Sequence, residues 1–94
     1  MKKLKSLEGR IIKVLKSDIK RGDVTETMCP IALAAKRSFK IKQIYVDCDF
    51  IQFGRNNLYK LPSKAIKFIR DFDCGYQVKP CKITIGKPYE LQSN

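Results

Sequence analysis

Residues 43–75, QIYVDCDFIQFGRNNLYKLPSKAIKFIRDFDCG, carry the strongest secondary-structure signals of the chain. The first part of this stretch alternates apolar and polar residues from Ile44 to Cys48, and this period of two predicts a half-buried strand. Two further strand-like runs, residues 50–53 and 57–60, flank Gly54-Arg55-Asn56. A short glycine-containing segment between two such runs predicts a β-hairpin.

The second part of the stretch predicts an amphipathic helix. Pro62 suits its first position, Gly75 suits the residue just past its end, and its last turn falls near Asp73. One arc of this helix is apolar: Ala65, Ile66, Phe68, Ile69 and Phe72. The opposite arc is charged: Lys64, Lys67, Arg70 and Asp71. Such a helix packs its apolar arc on a core and leaves the charged arc in solvent.

The residues before this stretch predict a strand, a helical turn and a short helix. Residues 10–15 are rich in β-branched side chains, which favours a strand. Ser17 to Gly22 predicts one helical turn, with Ser17 as its cap and Gly22 as its stop, and a loop follows. Cys29 to Phe39 predicts a short helix, because Pro30 suits its first turn and three alanines favour both helix and close packing.

The last predicted element is a strand from Lys82 to Ile85, in which Ile83 and Ile85 point inward and which Gly86 ends. The element order is therefore β-α-β-β-β-α-β. We expect one α+β domain over residues 1–94, a small two-layer sandwich of four to five strands in an antiparallel or mixed sheet with two helices on one face. A ferredoxin-like arrangement is one option.

Charge is the most informative property of the composition. Twenty Lys and Arg residues stand against nine Asp and Glu residues, which gives a net charge of +11. Residues 1–42 carry twelve basic and four acidic residues, and residues 43–94 carry eight and five. A positive field of this kind attracts polyanions from a distance. We therefore expect an anionic ligand, either a nucleotide or a nucleic acid; the alternative is that the charge reflects only composition and solubility.

The hydropathy pattern predicts a cytoplasmic protein without a membrane segment. No run approaches the roughly 18–20 apolar residues that cross a bilayer, and no apolar stretch of signal-peptide length follows the basic N-terminus. In a reducing compartment the cysteines are expected to be free thiols. They are Cys29, Cys48, Cys74 and Cys81.

The residue types argue against catalysis. The chain has no histidine, the commonest general base near neutral pH, and no glycine motif for cofactor phosphates. Asp47 with Asp49, and Asp71 with Asp73, are either metal or acid–base pairs or solvated carboxylates. The cysteine spacings do not match the close pairs of structural zinc sites. We expect no catalytic residue, no metal and no cofactor.

Cys29 offers one enzymatic alternative. It directly precedes the helix that starts at Pro30, and a helix N-terminus can lower the pKa of a thiol. Cys29 is therefore either the nucleophile of a cysteine-dependent enzyme or a packed or capping thiol. Cys48 and Cys81 fall at inward-facing strand positions and are predicted to be small core residues.

The candidate binding residues are basic and aromatic. One group lies on and before the 62–73 helix: Lys60, Lys64, Lys67 and Arg70. A second lies at the end of the 29–39 helix: Lys36, Arg37 and Lys40, with Lys42 beyond it. A third comprises Lys13, Lys16, Lys20 and Arg21. If the two helices pack side by side, the first two groups form one continuous positive surface for phosphates.

Two further residues complete the predicted site. Tyr45 lies on the polar side of its strand, and Arg55 lies at the hairpin tip. An aromatic ring and a guanidinium group both stack on bases, so we expect this pair to stack on or clamp a base.

Several segments resemble small, mostly uncharacterised proteins encoded by bacteriophages. The residues that carry the resemblance are Cys29-Pro30-Ile31-Ala32-Leu33-Ala34, Leu61-Pro62, Phe68-Ile69, Phe72-Asp73, Gly75, Val78 and Pro80. That pattern usually has an aromatic residue after the final proline, where this chain has Cys81. The resemblance implies an accessory protein in a bacterial host cytoplasm and assigns no activity to any residue.

Three functions follow from these expectations. The first is sequestration of a phosphate-rich nucleotide, including a cyclic oligonucleotide immune signal. We expect its pocket to be formed with the help of a homo-oligomer interface. Alternatively, the protein binds DNA or RNA along a basic face. The third alternative is inhibition of a host protein with an acidic patch, with Leu33 or the hairpin as the anchor. We favour a phosphate-bearing ligand, which covers the first two, and counter-defence as the setting.

Overall fold

The computed structural model describes residues 6–47, 49–55 and 57–89, so Cys48 and its predicted inward orientation lie outside the described residues. The elements are, in chain order, β1 (Ile11–Val14), α1 (Lys16–Arg21), α2 (Pro30–Phe39), β2 (Ile44–Asp47), β3 (Phe50–Phe53), β4 (Asn57–Lys60), α3 (Ser63–Asp73) and β5 (Cys81–Thr84). This order confirms the predicted α+β class. It differs from the predicted β-α-β-β-β-α-β order by one element, because α1, predicted as a single helical turn, is a third helix. Of the helices in the described ranges, none is long and apolar enough to span a bilayer.

The five strands form two antiparallel sheets. β2, β3 and β4 form a meander, and β1 pairs with β5. The hairpin predicted from the runs 50–53 and 57–60 is confirmed, since β3 pairs with β4 and Gly54 has a φ of +67°. The ferredoxin-like option is wrong, because the first and last strands pair with each other through Ile12 and Ile83 rather than joining the meander in one sheet.

The segment after β5 links the two sheets along the edge of β4. The Gly86 amide donates to the carbonyl of Lys60 at 2.8 Å, and the Lys60 amide donates to the carbonyl of Lys87 at 2.8 Å. A β-carbon at Gly86 would lie 2.7 Å from that same Lys60 carbonyl oxygen. Glycine is therefore required here for close backbone approach, in addition to its predicted place at the end of the strand.

Alternation along the strands builds the core. Ile12 and Val14 of β1, and Ile44 and Val46 of β2, are buried while their neighbours face outward. Helix α2 packs on both strands and on α1. Its buried residues are Pro30, Ile31, Ala32, Ala34 and Ala35. Small side chains allow the helix to approach the sheets closely, and each buried isoleucine contributes about 1.5–3 kcal/mol.

The helix ends agree with the sequence at α2 and α3, whereas α1 differs at its start. Ser17 is not the cap of α1: Leu15 occupies that position, and the Asp18 side chain accepts a hydrogen bond from the Leu15 amide at 2.8 Å. A carboxylate three residues into a helix can reach back to the cap amide, which removes the need for a serine cap. The predicted stop of α1 at Gly22 is confirmed.

Candidate ligand-binding site

The two helices predicted to form one positive surface do not lie side by side. The main neighbours of α2 are β1, α1 and β2. Its basic end therefore faces α1, and the two predicted groups of bases occupy separate parts of the molecule. The reason is that the apolar arc of α2 is wide and filled with alanines, so the two sheets cover it.

Arg37 is occupied by an intramolecular contact. Its guanidinium forms an ion pair with Asp18, and its second terminal nitrogen donates to the carbonyl of Lys13 at 2.8 Å. The side chain of Asp18 is only 6% exposed, so this arginine supplies the countercharge that the carboxylate needs. Arg37 thereby joins α2 to α1 and β1, which gives it a structural contact that its sequence pattern did not indicate.

The other two bases at the end of α2 differ from each other. The ammonium group of Lys36 donates to the carbonyl of Thr27 at 2.6 Å and is held against the preceding loop. Lys40 is exposed and ends the helix in the left-handed conformation, with a φ of +56°. Lys36 and Arg37 are thus both held by contacts within the protein. Lys40 is exposed and has no side-chain hydrogen bond or ion pair among the described residues.

Tyr45 and Arg55 do come together. Both line a cavity of 360 Å³ beside the hairpin. The Gln52 side chain fixes the hairpin tip, because its amide nitrogen donates to the carbonyls of Gly54 at 2.8 Å and Arg55 at 3.1 Å. Glu26 lines the same cavity, and its carboxylate would repel a phosphate there. The predicted stacking role of this pair stays a prediction.

Lys64 and Lys67 line a groove together with a base that the sequence grouping missed. This groove has a volume of 260 Å³, and Lys79 from the segment after α3 completes its basic lining. Asp71 is the one carboxylate among its described lining residues. Cys81 lies half-buried in the same groove; burial raises the pKa of its thiol, and Lys64 lowers it in part.

A second groove of 660 Å³ adjoins the first across residues 77–79. Lys16 and Lys20 of α1 line it, together with Phe72 and Tyr76. The ring of Tyr76 is 68% exposed. We call the combined surface the lysine face, defined by Lys16, Lys20, Lys64, Lys67, Lys79 and Tyr76.

Local backbone chemistry places Tyr76 at this surface. Gly75 has a φ of +83° and ends α3. Its amide donates to the carbonyl of Phe72 at 3.0 Å, and the Tyr76 amide donates to the carbonyl of Asp71 at 2.8 Å. This pair of bonds is the Schellman motif, which satisfies the last carbonyls of a helix and turns the chain sharply. Gly75 was the sequence signal that could have located Tyr76.

The ion pair between Asp18 and Arg37 fixes the orientation of α1, which carries Lys16 and Lys20. Asp18 points inward from α1 to Arg37, so Lys16 and Lys20, two positions before and after it, lie exposed on the outer side of the helix. These two lysines belong to the third sequence group, which had not been assigned to the predicted site.

The remaining predicted bases lie elsewhere. The ammonium group of Lys60 lies 5.5 Å from the centroid of the Tyr89 ring, a cation–π contact. Arg70 lines a cavity of 540 Å³ on the other side of α3. Four carboxylates line this cavity too, and we call it the acidic cavity: they are Glu26, Asp47, Asp49 and Asp73. Among the described residues, no group of side chains has the arrangement of a metal site.

Cys29 lies in the acidic cavity as a buried cap of α2. Its sulfur accepts a hydrogen bond from the Ala32 amide at 3.4 Å. Burial raises the pKa of the Cys29 thiol; the amides of Ala32 and Ile31 lower it in part, and Asp73 raises it further. A raised pKa is the opposite of what a cysteine nucleophile needs, so the capping alternative fits Cys29 better.

No protein-family model, curated protein or solved structure matches the chain. The function is therefore inferred from the residues of the chain and their geometry.

Proposed function

We propose that this protein binds a phosphate-bearing ligand through the lysine face, without catalysing a reaction. The observation that carries the proposal is the convergence of five lysines, from α1, α3 and residue 79, around two adjoining grooves that one described carboxylate, Asp71, lines. Ammonium groups in such a cluster neutralise phosphates and release counterions, which gives strong binding at low salt.

Single-stranded nucleic acid is the form of ligand that suits this surface best. The bases that line the two grooves in the described part of the chain are all lysines. Lysine presents a point charge rather than the planar fork with which arginine grips one phosphate, so the surface favours a backbone over a single fixed group. The exposed ring of Tyr76 offers a stacking platform between the lysines, as in other surfaces that bind single strands.

The setting that we propose is a phage accessory protein in a bacterial cytoplasm, with counter-defence as its role. Its support is the resemblance at Cys29-Pro30-Ile31-Ala32-Leu33-Ala34. The alternative of a host-protein inhibitor relied on Leu33 or the hairpin as an exposed anchor. Leu33 is half-buried, which weakens it as an anchor.

The test is fluorescence anisotropy with a labelled oligothymidylate about twelve nucleotides long, titrated at several salt concentrations. For single strands the slope of log affinity against log salt is roughly −0.7 for each neutralised phosphate, so five lysines predict about −3.5. The variant Lys64→Glu with Lys67→Glu is expected to weaken binding at least about tenfold and to flatten the slope by about 1.4.

The matched control is Lys13→Glu with Lys42→Glu, which changes the net charge equally at exposed positions that line neither groove. We expect this control to lose much less affinity, because its charges act only at long range. Equal losses in both variants would mean that the net charge binds the oligonucleotide and would remove the lysine face from the proposal. A salt-resistant response to a cyclic dinucleotide alone would replace the single strand as the ligand.

A further inference from the structure

The acidic cavity has no place in phosphate binding, and its location is well defined. It lies between the loop that precedes α2, the end of β2 and one side of α3. Aliphatic side chains form much of its wall: Val24, Val46, Ile66 and Ile69. Its volume of 540 Å³ lies within the range of about 300–1,000 Å³ that is typical of binding pockets.

The charge of this cavity is opposite to that of the protein. Four of the nine acidic residues of the whole chain line it, whereas Arg70 is the one basic residue among its described lining. A phosphate is therefore repelled from this cavity even though the net charge of the protein is +11. Because charges more than about 8–10 Å apart are screened at physiological salt, the local carboxylates decide which ligand enters.

The contacts among the described residues do not involve the side chains of these carboxylates. In the described ranges the ion pair found is that of Arg37 with Asp18, and the hydrogen bonds found there involve no side chain of Glu26, Asp47, Asp49 or Asp73. Val24 adds an apolar side chain that is 60% exposed at the same place. Unpaired carboxylates beside an exposed aliphatic side chain are complementary to a ligand that is both cationic and apolar.

We propose that the acidic cavity is a docking site for a basic segment of a partner protein, in which an aliphatic side chain enters the cavity and flanking lysines or arginines contact the carboxylates. The aliphatic wall distinguishes this partner from a small polyamine, whose ammonium groups are joined by short methylene spacers and which has no branched aliphatic side chain to fill the cavity. The four carboxylates distinguish it from nucleic acid. The inference goes beyond the proposed function, because the lysine face and the acidic cavity share no described lining residue.

The first experiment compares two labelled nonapeptides by fluorescence anisotropy at physiological salt. One alternates lysine with leucine, and the other alternates lysine with serine, so the two carry the same charge. We expect the lysine–leucine peptide to bind at least about tenfold more tightly, since burial of apolar side chains adds to the charge attraction. Equal binding of the two peptides, or no binding of the lysine–leucine peptide, would overturn the proposal.

The second experiment locates the binding site with matched variants. Asp49→Asn with Asp73→Asn removes two exposed carboxylates of the cavity, and Glu8→Lys makes the same change of net charge at an exposed position that does not line it. We expect the first variant to lose at least about fivefold in peptide affinity and the second to lose less than about twofold. Equal losses would place the peptide elsewhere and overturn the proposal.

The variants are chosen so that folding does not confuse the result. Asp73 lies in the last turn of α3, where a negative charge opposes the helix dipole, so Asp73→Asn does not weaken the helix. Oligothymidylate affinity is measured on the same samples and is expected to be retained in the Asp49→Asn, Asp73→Asn variant. Loss of both ligands together would indicate damage to the whole fold and would count against two independent sites.

Discussion

Helix α3 separates two surfaces of opposite charge that are built on the same residue spacing. Lys64, Lys67, Phe68 and Asp71 line the groove on one side, and Ile66, Ile69, Arg70 and Asp73 line the cavity on the other. Both sets follow the spacing i, i+3, i+4, i+7, which places each on one side of a helix. The helix contributes a carboxylate and at least one base to each side, so it does not by itself decide the sign of either surface.

The segments that pack beside α3 decide the sign of the charge on each surface. On one side the segment after α3 brings Lys79, and α1 brings Lys16 and Lys20. On the other side the loop before α2 brings Glu26, and the end of β2 brings Asp47. A basic protein can therefore hold a cation-binding surface, because binding responds to charges within about a Debye length rather than to the net charge.

The largest expected effect is a loss of stability on the side of the lysine face, where Asp18 holds α1 in place. Asp18→Ala removes the partner of Arg37 and the acceptor of the Leu15 amide. Because Asp18 is buried while Arg37 is partly exposed, we expect a loss of about 2–3 kcal/mol in the free energy of unfolding, measured by urea denaturation. Glu8→Ala, at an exposed position, is the control and should change it by less than about 0.5 kcal/mol.

The same variant tests whether α1 supports one surface only. Under conditions where Asp18→Ala remains folded, oligothymidylate affinity should fall because Lys16 and Lys20 are no longer held at their groove. Affinity for the lysine–leucine peptide should persist, since no described α1 residue lines the acidic cavity. A parallel fall in both affinities would contradict the separation of the two surfaces.

The next effect tests whether the ring of Tyr76 contributes base stacking to binding at the lysine face. Tyr76→Ala removes an exposed ring, so stability should change little while oligothymidylate binding loses about 1–3 kcal/mol, the usual range for base stacking on an aromatic side chain. Tyr76→Phe keeps the ring and should bind almost as well as the unaltered protein. An equally weak Tyr76→Phe variant would assign the effect to the hydroxyl group rather than to stacking.

A smaller effect concerns the turn that places Tyr76. Gly75→Ala forces a residue with a β-carbon to adopt a φ of +83°, although the space around it is open. We expect a loss of about 1–2 kcal/mol in stability from this strain, and a smaller loss for Gly75→Asn, which tolerates the left-handed region better. Thermal unfolding measures both; equal stability of the three proteins would show that the turn does not depend on glycine.

The smallest expected effect is on the alkylation rates of Cys29 and Cys81, which lie on opposite sides of α3. Burial raises the pKa of both Cys29 and Cys81, but Asp73 raises the former further whereas Lys64 lowers the latter. Asp73→Asn should therefore speed iodoacetamide alkylation of Cys29, and Lys64→Gln should slow that of Cys81. Each change should be less than about tenfold, because charges at a partly solvated surface interact by about 1 kcal/mol or less.

The pH dependence of alkylation follows from the same shifts. Raised pKa values leave little thiolate near neutral pH, so the alkylation of both thiols should be slow there and should keep accelerating with pH beyond the ordinary value of 9.0 before it levels off. Cys74 is exposed and serves as the internal reference in peptide mapping by mass spectrometry. Rapid alkylation of Cys29 at neutral pH would contradict the capping interpretation and revive its role as a nucleophile.

Much of the fold could be predicted because its signals are local. The alternation in β2, the hairpin glycine, the proline at the start of α2 and the glycine after α3 each act within a few residues, and each lies where it was expected. The candidate site was less predictable. Of the nine residues proposed, Lys64 and Lys67 share a groove and Tyr45 shares a cavity with Arg55, whereas Arg37 is engaged by a carboxylate nineteen residues away.

The α+β class, the positions of the turns and the excess of positive charge could all be read from the sequence. Periodicity and capping depend on neighbours within one or two turns of chain, which a single sequence displays directly. Which lysines line a common groove, and where the carboxylates gather, depended on the packing of the chain. Lys16 lines the same groove as Lys79, and Glu26 lines the same cavity as Asp73, although each pair is far apart in the sequence. The charge of a site is a sum over side chains that are close in space, and packing alone sets that sum.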